Sequence, residues 1–250
     1  MTKNLPPQQP PPVQRLRVHY AKRGRMRFTS HRDFSRAFER AVQRARVPMA
    51  YSSGFHPHPR ISYAGAAPTG SASEAEYLEL ALAQIVEPAA IAAALAESLP
   101  DGLDIVEVVP VGSAGSLGDR LEASTWRIRL DGADLASVDA AAAALIAQTE
   151  VGVSRMTKKG LREFDVRGAL VSLDVTGIDE TCVILDVVLR HGVPTVRPDD
   201  VLAGMRIVSD FEAESALFQR MAQGTLDDAG TVGDPLAPDR DATSDRGQGG

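Results

Sequence analysis

The chain is short of the residues and motifs that carry several common chemistries. It has one cysteine, Cys182, among 250 residues. That excludes a disulfide framework, a CxxC redox pair, an all-cysteine zinc site and any cysteine-ligated iron-sulfur cluster built from this chain alone. Cys182 lies in an apolar stretch and reads as a small core residue rather than a nucleophile. No stretch approaches the roughly 18 consecutive apolar residues of a spanning helix. The opening MTKNLPPQQPPPVQ lacks the apolar run of a signal peptide, so a soluble, cytoplasmic protein with no membrane partner is expected. There is no GxGxxG, no Walker-type phosphate loop, no GxSxG elbow and no HExxH helix, which removes the usual sequence grounds for dinucleotide binding, nucleotide hydrolysis, serine hydrolysis and zinc proteolysis.

What is present is charge, unevenly placed. The net charge is -6, yet twelve of the 46 residues in 15–60 are Lys or Arg and only Asp33 and Glu39 are acidic. Four of the five histidines, His19, His31, His56 and His58, fall in the same stretch. Residues 71–122 reverse the balance, with ten acidic residues against Arg120. Such segregation makes a dipolar molecule with a basic region suited to a polyanion, and RNA is the first candidate.

A hydrophobic content of 44% over this length is enough for one large domain or two small ones. Residues 1–13 are rich in Pro and Gln and are expected to be a flexible leader. Residues 223–250 are rich in Gly, Asp and Ala and are expected to be a disordered acidic tail. Between them, RLRVHY (15–20) alternates as a half-buried strand does. Ser30 is placed to cap a helix, with Asp33 three residues on. Phe34, Ala37, Phe38, Ala41, Val42 and Ala45 then recur on one face, while Arg32, Arg36, Arg40 and Arg44 recur every fourth residue on the other. Pro48 closes this helix.

Strands are expected at 61–64, 77–83 and 103–111, with an alanine-rich helix opening at Glu87 and Pro88. Strand, helix, strand, strand, helix, strand is the ferredoxin-like split βαβ order. A second round follows, with a strand at 125–130, a helix at 133–148, strands near 151–156, 164–175 and 182–190, and a short helix from Pro198 to about Gly204. Residues 206–223 are ambiguous between strand and helix. The expected fold is α+β, two ferredoxin-like (βαββαβ) halves in tandem at 14–112 and 123–222, the second less regular.

Residues 51–70, YSSGFHPHPRISYAGAAPTG, interleave Tyr51, Phe55 and Tyr63 with His56, His58 and Arg60. Rings beside cationic side chains suit single-stranded nucleic acid, because bases stack while guanidinium groups meet phosphates. The plainer alternative is that Phe55 and Tyr63 anchor the loop to the core. His56 and His58 lie two apart in a segment stiffened by Pro57 and Pro59, a spacing that would let them share a metal with His31 or a carboxylate as third ligand. A histidine beside an arginine is also a candidate general base toward an RNA hydroxyl. A second basic cluster comprises Arg155, Lys158, Lys159, Arg162 and Arg167, and beside it Asp165 is either a catalytic carboxylate or the ion-pair partner of an arginine.

The segment RMRFTSHRDFSRAFERAVQRARVPMAYSSGFHPHPRISYAGAAPTG, with EYLEL after it and KKGLREFDVR later, resembles the radical-SAM-linked protein family, a domain of unknown function. The resemblance covers most of residues 15–210. The family's characteristic residues fall here on Phe28, Ser30, His31, Asp33, Arg36, Ser53, Gly54, Phe55, His56, Pro57, Pro59 and Gly70, and on Lys159, Gly160, Asp165 and Arg167. Members of that family occur beside radical-SAM proteins or fused to their C-terminal side. Radical-SAM chemistry needs three cysteines around a cluster, so this chain is expected to be an accessory partner without a cofactor of its own.

The reading that follows is of a protein that binds RNA, such as tRNA, and presents it to a radical-SAM protein. Its substrate-binding candidates are Arg25, Arg27, Ser30, His31, Arg32, Arg36, Arg40, Ser53, Phe55, His56, His58, Arg60, Lys159, Arg162 and Arg167. If the protein is instead an RNA-processing or RNA-modifying enzyme, the catalytic candidates are His31, His56 and Asp165. A third possibility is a purely protein-binding subunit of the radical-SAM protein.

Overall fold

The computed structural model describes residues 8–112, 115–157, 160–179 and 181–247. It is a mixed α+β protein with largely antiparallel strands. Two compact units make it up. One is formed by residues up to 119 together with those from 235 onward, the other by residues 120–234.

In the first unit β1 (Gln14–Lys22) lies between β3 (Ala72–Leu82) and β4 (Leu103–Pro110), and β2 (Ile61–Ala64) pairs with the other side of β3. All these pairings are antiparallel. The helices α1 (His31–Arg44) and α2 (Pro88–Ser98) bury their apolar sides against this sheet. Leu16, Val18 and Tyr20 of β1 share one core with Phe34, Phe38 and Val42 of α1 and with Leu78 and Leu80 of β3. Tyr20 stacks on Phe34 with ring centroids 5.0 Å apart and planes 5° from parallel. Such a pair adds about 1 kcal/mol beyond the burial of its surface. Helix α1 begins where expected, with the Asp33 N–H donating to Ser30 Oγ at 3.2 Å and the Ser30 hydroxyl donating to the Asp33 carboxylate at 2.7 Å. It ends as Arg46 turns to a positive φ of 53°, before Pro48.

In the second unit β5 (Ala123–Asp131) lies between β10 (Ser215–Gly224) and β9 (Cys182–Arg190), and β8 (Leu170–Asp179) pairs beyond β9. Helices α3 (Leu135–Ile146) and α5 (Pro198–Val208) pack together. Between α3 and β8 the chain makes a separate hairpin, β6 (Gly152–Thr157) with β7 (Gly160–Asp165), and one helical turn, α4 (Val166–Ala169). That turn splits the strand expected over 164–175. Cys182 is half-buried at the start of β9, next to Asp131 and Asp179 in the ladder, so it is not the core residue the sequence implied. The ambiguous stretch 206–223 holds the end of α5 and then β10.

Helix α5 also runs four residues past Gly204, where the sequence pattern placed its end. Gly204 is buried, and a methyl group there would meet Leu145 Cδ1 and Val166 Cγ1 at 3.5 Å, ordinary contact distances. The glycine therefore weakens the helix without a steric need for its absent side chain. Gly204→Ala is expected to stabilise the protein by about 0.5–1 kcal/mol, read as a rise in the denaturant midpoint; an unchanged or lower midpoint would refute this.

The two ends of the chain depart from the sequence reading. In the leader, the Gln9 N–H donates to Ser53 Oγ at 3.0 Å and the Val13 N–H to Leu82 O at 2.9 Å. The tail expected to be disordered contains a bridge between Leu226 and Val232 and then α6 (Ala237–Gly247). The physical reason is Arg17. On β1 it points away from the helices and is only 1% exposed, beside Asp239, which is 0% exposed. Arg17 Nη1 donates to the Asp239 carboxylate at 2.5 Å, and the other carboxylate oxygen accepts the Gly112 N–H at 3.0 Å. Glu79 at 3.4 Å and Gly115 O at 2.8 Å receive the rest of the guanidinium. Removing one member strands a buried charge, so Asp239→Ala is expected to cost roughly 3–5 kcal/mol. Arg17→Met combined with Asp239→Leu should restore most of that loss in a denaturation curve. A fully stable Asp239→Ala protein would instead return the tail to a dispensable appendage.

Candidate functional site

The apolar side of α1 is fixed in the core, so its arginines have one place to go. Arg32, Arg36 and Arg40 are exposed and meet no hydrogen-bond or ion-pair partner among the described residues. With a rise of about 1.5 Å per residue, successive members stand about 6 Å apart along the axis. Arg44, the fourth of the row, differs, since it donates to Ser98 O at 3.1 Å. Most arginines elsewhere on strands are matched with acids. Arg15 and Arg17 meet Glu79, Arg127 meets Asp186 and Arg129 meets Asp179, and Arg23, just past β1, meets Glu74 and Asp104.

The 3-10 turn Gly24–Phe28 leads into this helix. Arg25 projects from it without a partner among the described residues, and the Phe28 ring is 68% exposed. Arg27 serves the fold, because its Nε donates to Gly70 O at 3.1 Å while its own carbonyl accepts the Gly70 N–H at 2.7 Å. Ser30 spends its hydroxyl on the cap. His31, the first residue of α1, is exposed, and its ring stands edge-on to Tyr63 at 5.1 Å. Tyr63 also packs edge-on against Phe34 at 5.7 Å, and its buried hydroxyl has no partner within hydrogen-bond geometry. Burial pushes that hydroxyl up to about 12; the neighbouring Ser35 hydroxyl opposes the shift and the charge of Glu39 adds to it. Tyr63 is thus an anchor, as the plainer alternative had it.

Phe55 is not. Residues 51–59 form a loop closed at its base by the Tyr51–Pro59 bridge, by the Ser52 N–H donating to His58 O at 2.9 Å, and by the His58 N–H donating to Ser52 Oγ at 3.0 Å. Just outside, the Arg60 N–H donates to Ala50 O at 2.9 Å. The tip presents Phe55, 76% exposed, with His56 and His58 also exposed. Ser53 accepts the Gln9 N–H, and the half-buried Arg60 has no side-chain partner among the described residues. No three His, Cys, Asp or Glu side chains among the described residues are grouped to hold a metal ion, so His31 does not join His56 and His58 as a third ligand.

The second basic cluster does not behave as one surface. Lys158 and Lys159 lie outside the described residues. Arg162 is exposed on β7. Arg155 pairs with the buried Asp200 and covers the Phe164 ring at 4.1 Å. Arg167 donates to Ile146 O at 3.0 Å and to Leu170 O at 3.4 Å, closing the chain around α4. Asp165 accepts the Val151 N–H at 3.1 Å, which gives it a structural partner, though a backbone one rather than the arginine expected. His31 and His56 belong to the first unit and Asp165 to the second.

His191, the one histidine outside the basic stretch, is fixed more firmly than any of these. Its Nδ1 donates to Leu121 O at 2.7 Å and its Nε2 lies 3.0 Å from Ser124 Oγ, which also accepts the Trp126 indole N–H at 2.8 Å. A carbonyl at Nδ1 fixes the proton there, so Nε2 accepts from the serine and the neutral ring fits. Burial, opposed by the Leu121 carbonyl and helped by the positive charge of Arg220, lowers its pKa below the usual 6.5. As pH falls through 6.5 the unfolded chain takes up a proton that the folded ring resists, so stability declines until the folded pKa is reached. His191→Gln is expected to flatten the dependence of the denaturant midpoint between pH 7 and 5, and an equally steep decline in the variant would assign the effect to other groups.

The sequence profile of a family described as "Uncharacterized protein conserved in bacteria (DUF2344)" matches residues 15–198. No curated protein matches the chain. Among solved structures, the chain is similar to one described as "Crystal Structure of a Cbf5-Nop10-Gar1 Complex", at 10% identity and a TM-score of 0.45. That likeness covers 88% of this chain and 56% of the other, so the chain spans about half the length of that relative. At this TM-score the likeness carries no inference about function. The profile match runs from β1 through α1, the loop of residues 51–59 and on to β9, ending before β10, and the protein belongs to this bacterial family, DUF2344.

Proposed function

We propose that the protein binds a polyanion, RNA such as tRNA, along α1 and presents it to a radical-SAM partner in the cytoplasm. The observation that carries the first part is the row Arg32, Arg36 and Arg40, exposed and without acidic partners among the described residues, in a protein whose strand arginines are mostly paired. The four-residue spacing sets like charges at neighbouring positions on one helix face, an arrangement that costs stability until an anion relieves it. Arg25 lies just ahead of the row in sequence, and Phe28 and Phe55 supply exposed rings in the same unit. The radical-SAM partnership rests on the sequence resemblance, and the single cysteine leaves radical chemistry to that partner.

The architecture we assign is two ferredoxin-like halves in tandem. Its support is the pairing order of the first unit, in which the fourth, first, third and second strands lie side by side as β4, β1, β3 and β2. The second unit repeats that order as β10, β5, β9 and β8 once the β6–β7 hairpin is set aside as an insertion. For an RNA-acting enzyme the placement of the candidates offers little, since Asp165 is occupied by the Val151 backbone.

The test is binding to total tRNA over a range of salt, for the wild type and for Arg36→Ala with Arg40→Ala. The logarithm of the binding constant should fall linearly with the logarithm of salt concentration, and the double substitution should reduce the slope by about 1.4, or about 0.7 per lost contact to a single-stranded phosphate. Absence of binding, or a slope untouched by the substitutions, would refute the reading. Copurification with a radical-SAM protein tests the partnership separately.

A further inference from the structure

We infer that the loop of residues 51–59 is a stacking finger that takes one unpaired base on Phe55, so that the protein selects single-stranded over duplex RNA. This rests on the RNA reading of α1 and names the form of RNA that the site accepts.

Phe34, Phe38, Phe164 and Phe211 are buried, as rings of that size normally are, whereas Phe55 is 76% exposed. An exposed ring on a loose loop would be unremarkable, but this loop is braced. Two hydrogen bonds join Ser52 to His58, a bridge joins Tyr51 to Pro59, and the prolines at 57 and 59 restrict the backbone between. Gly54 adopts a φ of +133°, which makes the bend before Phe55 one that a side-chain-bearing residue rarely follows. The brace orders the backbone that carries the ring before any ligand arrives, which lowers the entropy lost on binding.

The ring's surroundings name its ligand. His56, His58 and Arg60 follow it in sequence, and α1 of the same unit carries the unpaired arginines. An apolar face amid donors and cations matches a nucleotide, with a flat base and a charged phosphate, better than an aliphatic partner. A base is available to such a ring only when it is not already stacked within a helix, so duplex RNA offers its phosphates to α1 but nothing to Phe55.

The experiment measures the full chain's affinity for a labelled single-stranded oligoribonucleotide and for the same sequence annealed to its complement. It uses the wild type, Phe55→Leu and Phe55→Trp, together with the quenching of a 2-aminopurine placed in the single strand. The wild type should prefer the single strand by about tenfold, roughly the effect of one stacked base. Phe55→Leu should lose that preference and the quenching while keeping duplex affinity and salt slope, and Phe55→Trp should keep all of them. Equal affinity for both forms, an unchanged Phe55→Leu protein, or competition by an acidic polypeptide as effective as by RNA would overturn the inference. Salt-dependent RNA binding that Phe55→Leu leaves intact would remove the finger and spare the arginine row, while no RNA binding at all would remove both.

Discussion

The exposed row of arginines on α1 depends on the way Phe34 and Phe38 leave water. Their rings pack with Tyr20 of β1, Phe34 at 5.0 Å and Phe38 at 6.3 Å, and with the leucines of β3 in the core of the first unit. A helix has one rotational freedom about its axis, and this packing removes it. The residues at four-residue spacing on the far side, Arg32, Arg36 and Arg40, are then directed outward. The exposed arginine row is in this sense a by-product of the core. A substitution at Phe38 would disturb the arginine row without touching an arginine.

A second constraint ties the ends of the chain together. Arg17 occupies a position in β1 that faces away from α1 and α2, where a half-exposed strand ordinarily meets solvent. Its guanidinium is instead enclosed with the Asp239 carboxylate, more than two hundred residues later in sequence. Two charges can be buried only if their remaining hydrogen-bonding capacity is met, and here Gly112, Gly115 and Glu79 meet it. The cost of leaving either charge alone makes the C-terminal segment part of the first unit rather than an appendage.

Much of this was readable in the sequence where the signal was local. The apolar period of α1, its Ser30 cap and the alternation of β1 each depend on residues a few positions apart, and all three stand where the sequence put them. The failures share a different origin. The tail of residues 223–250 has the composition of a disordered segment, and what orders its helix is a distant arginine that no local pattern reveals. Gly204 reads as a helix end because glycine usually is one, yet packing between α3 and α5 carries the helix through it. Within the site, the sequence placed Phe55 and Tyr63 in one class of loop aromatic. Only the fold separates them, Tyr63 into the core beside Phe34 and Phe55 out to the loop tip.

The same contrast between local and distant neighbours explains why one set of arginines is available and others are not. On antiparallel strands, residues opposite each other lie within side-chain reach, and the register places Arg17 opposite Glu79 and Arg127 opposite Asp186. Each of these two strand cations is thereby supplied with an anion by its neighbour. A surface helix has no such neighbour on its outer face and must find partners three or four residues away. In α1 the residues four away from Arg36 are Arg32 and Arg40, so those positions add charge of the same sign rather than neutralising it. Asp33 and Glu39, the acids three residues from Arg36, form no ion pair with it. Helix α1 therefore carries four arginines against two acids, and Arg32, Arg36 and Arg40 stay open to solvent on its outer face.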